Sequence, residues 1–209
     1  MSPKDFINTF RPLVVPIAQR YNVPSSVLLA QIAIESAWLK STFSKNFYNL
    51  TGMKATGKPI PNIWDGTKST QDTNEVINVQ TIRIPQPFRV YNNYSQSIED
   101  LAHRHAIRFK FNLNSVGNDI NKFIDKVIST GYATGTGYFN LINSIIDKYK
   151  LYDLDKGAKF TKQTKTATGT TTAPTITTPP PESGEKKKTA LIIGASLVAI
   201  ATIIYITKE

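Results

Sequence analysis

Apolar positions recur at three- and four-residue spacing over residues 4–21, at Phe6, Ile7, Phe10, Leu13, Val14 and Ile17. That is the period of a helix with one buried face. Pro24-Ser25-Ser26 then offers a helix start with a serine as N-cap, and the helix it opens is expected to run to about Trp38 or Leu39. Between residues 47 and 91 the pattern changes. Gly, Pro and Asn recur, and VINVQTIRI and FRVY have the β-branched and aromatic content of short strands. Helical spacing returns near Ser95 through SIEDLAHRHAIRF, with Glu99 and Asp100 expected in the first turns, where the helix dipole favours acids. It recurs over 118–129 and 138–149, joined by the loop TGYATGTG. There is no internal repeat. The pattern predicts a mainly α (α+β) domain with a small β-rich insertion between its second and third major helices.

After residue 157 the periodicity is lost. Thr and Pro dominate residues 158–188 and almost nothing there can be buried. A disordered, partly extended linker is expected, long enough to reach several tens of ångströms. The stretch TALIIGASLVAIATIIYIT, residues 189–207, is uncharged and lies between Lys186-Lys187-Lys188 and Lys208. Its length suits a helix crossing the hydrocarbon core of a bilayer. A buried core helix is the alternative, but after such a linker it would have nothing left to pack against. The expected parts are therefore a domain over 1–157, a linker over 158–188 and a transmembrane helix over 189–207. At the other end, Asp5, Arg11 and a short apolar run broken by Pro16 read as the first helix of the domain and not as a cleaved signal peptide. The expectation is a single-pass membrane protein held in a lipid bilayer by its C-terminal helix.

Composition narrows the chemistry. The absence of cysteine excludes disulfides and thiolate zinc sites. The two histidines, His103 and His105, would point about 200° apart on a helix and could not share a metal; they read as structural, and no metal or cofactor is expected. The net charge of +10 suits nucleic acid, anionic lipid or an anionic polymer such as bacterial cell wall. A glycine-rich phosphate loop and an Arg/aromatic platform are both lacking, so no nucleic acid is expected.

One residue breaks the hydrophobic pattern. In LLAQIAIESAWLKS, residues 28–41, the only acid is Glu35, and the nearest others in sequence are Asp5 and Asp65. On a continuous helix it would share a face with Ile32, Trp38 and Leu39, and with one polar neighbour, Gln31. A carboxyl in apolar surroundings keeps its proton to higher pH, as a general acid for a leaving glycosidic oxygen requires. The alternative is a carboxylate paired at the core edge with Arg89 or Arg104.

Four further segments follow in order: NFYNLTGMKATG, a threonine-rich hairpin region, FRVYNNYSQSIEDLAHRH and GYATGTGYFNLINSIIDKYKLYDLD. With ESAWLKS they resemble glycoside hydrolase family 73, the flagellar and autolysin type of N-acetylglucosaminidase, across roughly residues 10–155. The resemblance implies a lysozyme-like helical domain with a β-lobe across a cleft, cutting the glycan strand of peptidoglycan. It implies Glu35 as general acid. Counting back from Phe88 it implies Glu75 as the second carboxylate, with Asp72 and Asp65 as neighbours that could take that place, although the family's chemistry can instead use the substrate's own N-acetyl group. Tyr132 matches a cleft tyrosine near the acid, and Tyr138 corresponds to a second. Asn49, Gly52 and Lys54 match the strand entering the cleft; Tyr48, Trp64 and Tyr91 could stack on sugars or serve as lobe core. The sequence departs from the family pattern at Gly135-Thr136, where Asp-Pro is common, and at Thr51, where a phenylalanine-like residue is usual.

Rival readings are a lytic transglycosylase or host-lysis enzyme on the same fold, and a non-catalytic, membrane-tethered wall-binding protein. Peptidoglycan lies outside the cytoplasmic membrane, whereas the lysines before residue 189 favour keeping that side of the span in the cytoplasm. A bacteriophage enzyme carried on a virion membrane taken from the host reconciles the two.

Overall fold

The computed structural model describes residues 1–77, 80–131 and 136–165 of the protein. The expected transmembrane helix and most of the expected linker lie outside the described residues.

The first helix, α1 (Pro3–Tyr21), is capped by the Ser2 hydroxyl, which accepts from the Asp5 amide at 3.2 Å. Pro12 and Pro16 lie inside it, both on its exposed side, where the hydrogen bonds they forgo cost least. Asn22 ends the helix in the left-handed region at φ 52°. Helix α2 (Ser25–Glu35) is buried without a break from Ser25 to Ala33, which is why its sequence is apolar nearly all round. Helices α1, α4 (Tyr94–His103) and α6 (Thr136–Lys148) pack against it, and Phe6, Phe10, Leu28, Leu29, Ile32, Phe123 and Phe139 are fully buried in the common core.

Both ends of α2 depart from expectation. Neither serine caps it: Pro24 is the N-cap, and the Asp155 carboxylate accepts from the Ser25 and Ser26 amides at 2.5 and 3.0 Å. A buried helix start has no water to satisfy its free N–H groups, so an acid 130 positions downstream supplies the acceptor. The helix also stops at Glu35, short of Trp38. Ala37, Trp38 and Leu39 all take left-handed backbone, with φ of 51°, 56° and 58°. The Ser36 hydroxyl holds this ending: anchored by donating to the Ile32 carbonyl at 2.6 Å, it accepts from the Leu39 amide at 3.0 Å, in place of the carbonyl that a continuing helix would offer. Trp38 and Leu39 still reach the core, but by way of the turn.

A short helix missed from sequence, α3 (Thr42–Phe47), follows, with Ser41 as N-cap. The expected short strands prove to be one hairpin, β1 (Lys68–Ile77) paired antiparallel with β2 (Gln80–Arg89), in register from Lys68 opposite Arg89 to Ile77 opposite Gln80. This lobe is tied to the helical body at its base. Arg89 donates to Asp100 at 2.6 Å, both side chains being almost wholly buried, and Tyr91 donates to the same oxygen at 2.6 Å. Removing one partner from such a pair costs about 3–5 kcal/mol. Asp100 is thus a buried counter-ion and does not sit in the first turn of α4, which holds no acid; the N-cap there is Asn93. Glu99 accepts from Tyr21 and pairs with Arg20, each at 3.0 Å.

α4 passes directly into a π-helical turn, Arg104–Arg108. Helix α5 (Ile120–Ser129), capped by Asp119, and then α6 complete the body, with a 3-10 turn at Leu151–Leu154. Residues 158–165 are packed on this body beyond the expected boundary: Lys159 N–H donates to Asn118 O at 2.7 Å, Phe160 stacks on Tyr152, and Lys165 pairs with Asp125.

Candidate active site

Glu35 closes α2 at the point where body and lobe face each other. It borders a cleft of about 190 Å³, with Ser41, Phe43 and Ser44 on the body side and Gln71, Asp72 and Thr73 of β1 on the lobe side. A larger hollow of about 700 Å³ lies between α1 and residues 153–156, at the other end of α2. Of the two carboxylates that line it, the buried one, Asp155, is already engaged in capping that helix.

The Glu35 residue keeps a half-buried edge on the cleft, while burial of its carboxyl pushes the pKa up from 4.5 to about 8. A hydrogen bond from Tyr138 and the charge of Arg104 act the other way, favouring the carboxylate, but they do not offset the loss of hydration. Of the two arginines considered as ion-pair partners, Arg89 is committed to Asp100 and Arg104 acts on Glu35 through its charge. Burial thus favours the protonated carboxyl near neutral pH, on a residue that keeps an edge towards the cleft.

Tyr138, near the start of α6, is buried beside Glu35 and accepts from Gln31 Nε2 at 3.3 Å. Tyr132 lies outside the described residues. In β1, the Glu75 backbone stands opposite Ile82. Asp72, opposite Pro85, lines the cleft and makes an exposed pair with Arg83 at 3.6 Å. Such a pair is worth little, so Asp72 remains available for other work. Asp65 is taken up locally, accepting from the Thr67 amide at 2.8 Å, which lowers its pKa.

The expected sugar-contact residues divide. Gly52 lines the cleft at a left-handed φ of 61°. Tyr48 is 39% exposed, edge-on to Tyr94, and its outer face is open to a ligand. Lys54 is half-buried and bridges to Phe88. Asn49 is fully buried instead: its amide donates to the Met53 and Arg89 carbonyls and accepts from the Met53 N–H. Trp64 is also buried, donating to the Thr67 carbonyl with its ring face under Arg89, and Tyr91 is sealed against Asp100. Trp64 and Tyr91 sit as lobe core, one of the two placements open from sequence, whereas Asn49, expected at the cleft, is spent on holding the backbone of Met53 and Arg89. The face of an aromatic ring cannot serve arginine and sugar together.

Two groups that sequence reasoning left unused stand behind the site. Gln31 and His105 are both fully buried, with His105 Nε2 at 3.0 Å from Gln31 Oε1. The lone polar Gln31 among apolar neighbours was the available signal for the first. No three His, Asp or Glu side chains cluster as metal ligands among the described residues.

Residues 11–151 match the glucosaminidase family, described as mannosyl-glycoprotein endo-beta-N-acetylglucosaminidase. An autolysin of Enterococcus faecalis is 32% identical over 168 residues, covering 74% of this chain and 21% of that protein. The peptidoglycan hydrolase FlgJ of Vibrio parahaemolyticus is 28% identical, over 70% of this chain and 47% of its own length. The chain thus spans from about a fifth to about half of these relatives. The catalytic domain of the autolysin Auto from Listeria monocytogenes has the same fold, with a TM-score of 0.59 at 24% identity over 74% of this chain and 89% of that one.

Proposed function

The chain belongs to the glucosaminidase family, and on that premise we propose that it hydrolyses the β-1,4 glycan linkage of peptidoglycan with Glu35 as general acid. The observation that carries this reading is a carboxyl bordering the cleft between body and lobe, whose burial raises its pKa to about 8. In the proposed step the Glu35 proton passes to the leaving glycosidic oxygen as the sugar gains oxocarbenium character. A second carboxylate from β1, Asp72 or Glu75, then activates water or steadies the positive charge; Asp72 has the support of lining the cleft. Tyr138 is proposed to assist the acid beside which it is buried; Tyr132 is proposed as a second assisting tyrosine on the family resemblance alone, and Tyr48 and Lys54 are proposed as glycan contacts.

The experiment is mass spectrometry of the fragments released from purified peptidoglycan by the full chain in detergent. Reducing-end N-acetylglucosamine supports the hydrolase. Ends carrying 1,6-anhydromuramic acid would replace it by the transglycosylase variant, and an absence of fragments would leave the wall-binding reading.

A location follows from the sequence of the tail. Residues 189–207 are proposed to anchor the enzyme in a bilayer, with Lys186–Lys188 holding the catalytic side in the cytoplasm. That topology suits an enzyme carried on the outside of a bacteriophage membrane and delivered to the wall at entry. Protease added to intact spheroplasts expressing the chain tests it. Digestion of the domain from outside would defeat it, and protection until lysis would support it.

A further inference from the structure

Behind Glu35 a line of polar groups runs into an otherwise apolar interior. Gln31, one turn before Glu35 on α2, is fully buried. On one side its Nε2 donates to Tyr138 Oη at 3.3 Å; on the other its Oε1 lies 3.0 Å from His105 Nε2. His105 is fully buried as well and stays neutral, its pKa pushed down to about 3 by burial and the Arg104 charge.

Donor and acceptor roles give this line a direction. An amide oxygen only accepts, so His105 Nε2 must carry the ring proton. The amide nitrogen only donates, so the Tyr138 oxygen accepts from Gln31 and its own proton is turned away from that residue. The remaining neighbour in hydrogen-bond contact is Glu35. The π-helical turn makes this possible. Its wider winding presents Arg104 to the field of Glu35 and the next residue, His105, to Gln31, a local irregularity of the kind found at functional sites.

We propose that Gln31 and His105 are positioning residues: the chain His105 Nε2–H to Gln31 Oε1, then Gln31 Nε2–H to Tyr138 Oη, occupies the inner side of the tyrosine oxygen and turns its O–H towards Glu35 as a donor. The protonated carboxyl then accepts through its carbonyl oxygen, which leaves its acidic O–H on the other oxygen, aimed at the cleft. The His105–Gln31 and Gln31–Tyr138 contacts are both made by buried side chains, and linked buried hydrogen bonds of this kind rigidify a site. This rests on the glycosidase reading of the same site.

The test is a double-mutant cycle on the full chain in detergent, with soluble peptidoglycan glycans as substrate. Gln31→Met keeps the volume and removes both contacts; it is expected to lower kcat by about tenfold to a hundredfold with little change in KM. Tyr138→Phe should lower kcat as well, and the double variant should be no slower than Tyr138→Phe alone, because Gln31 acts through that hydroxyl. His105→Leu should resemble Gln31→Met, whereas His105→Gln, which still places a donor near Oε1, should recover most of the rate. Wild-type kcat in Gln31→Met, or losses that multiply in the double variant, would overturn the proposal. So would a well-folded His105→Gln no faster than His105→Leu. An inactive wild-type chain would instead sink the glycosidase reading itself.

Discussion

The carboxylate of Asp155 holds the amide of Ser25 at 2.5 Å and joins the end of the last 3-10 turn to the first residue of α2, the helix that ends at Glu35. The catalytic candidate and its remote cap thus sit at opposite ends of one buried rod. Asp155→Ala would leave the Ser25 and Ser26 amides buried without an acceptor. The expected cost is about 1–3 kcal/mol, read as a fall of several degrees in the thermal midpoint. Asp155→Asn retains one acceptor oxygen and should lose less. Equal stability of Asp155→Ala and wild type would show that water reaches this helix start.

Glu35→Gln should cut turnover by about a hundredfold to ten-thousandfold while making the protein more stable, and the size of the gain should depend on pH. Glu35 releases its proton near 4.5 in the unfolded chain and near 8 in the folded one. Between those values the folded state binds more protons, so raising the pH destabilises wild type by up to about 1.4 kcal/mol per unit. The accessible edge of Glu35 reduces that figure. The amide that replaces the carboxyl does not titrate. The midpoint difference between variant and wild type should therefore widen from about pH 5 to pH 8 and stay flat below. A destabilised variant would indicate that Glu35 serves as a structural ion-pair partner.

The second carboxylate is decided by comparing Asp72→Asn with Glu75→Gln. Asp72 borders the cleft with Glu35, and its pairing with Arg83 at 3.6 Å is exposed. One of the two substitutions should lower the rate by about two orders of magnitude or more, and the other by no more than a few-fold. Mild effects from both would direct attention to the substrate's own N-acetyl group.

The parts of this molecule legible in its sequence are those fixed by local pattern. Phe6, Phe10, Val14 and Ile17 mark the buried face of α1, and Glu35 stands out because nothing around it in sequence is charged. What escaped depends on distant partners. No spacing within residues 24–26 reveals that Asp155 will cap α2, and Trp64 and Tyr91 look like sugar platforms until Arg89 and Asp100 close on them. His105 read as structural from sequence; its link to Gln31 joins residues 74 positions apart and exists only once the chain has folded. The early end of α2 was hidden for a different reason, since the Ser36 hydroxyl takes the Leu39 amide that a continuing helix would spend on the Glu35 carbonyl, in a stretch whose apolar periodicity continues unbroken.

That early ending carries a measurable cost. Ala37, Trp38 and Leu39 are three successive left-handed residues without a glycine among them. An L side chain in that region costs roughly 1–2 kcal/mol per residue, offset here by the Ser36 hydrogen bonds, by Trp38 N–H donating to Ala33 O at 2.8 Å, and by the burial of Trp38 and Leu39. Ala37 contributes least to that compensation, since it is only half-buried and carries a single methyl group. Ala37→Gly removes its strain but adds freedom to the unfolded chain, worth about 0.4–1 kcal/mol in the other direction. The strain is the larger of the two, so a net gain of about 0.5–1 kcal/mol is expected, or roughly 1–4 °C in the thermal midpoint of a domain this size. Turnover should stay within a few-fold of wild type, because the turn is held by bonds that the substitution leaves in place. A lower midpoint in Ala37→Gly would mean that the left-handed turn is not strained at this position, and that Ala37 helps to define where α2 stops.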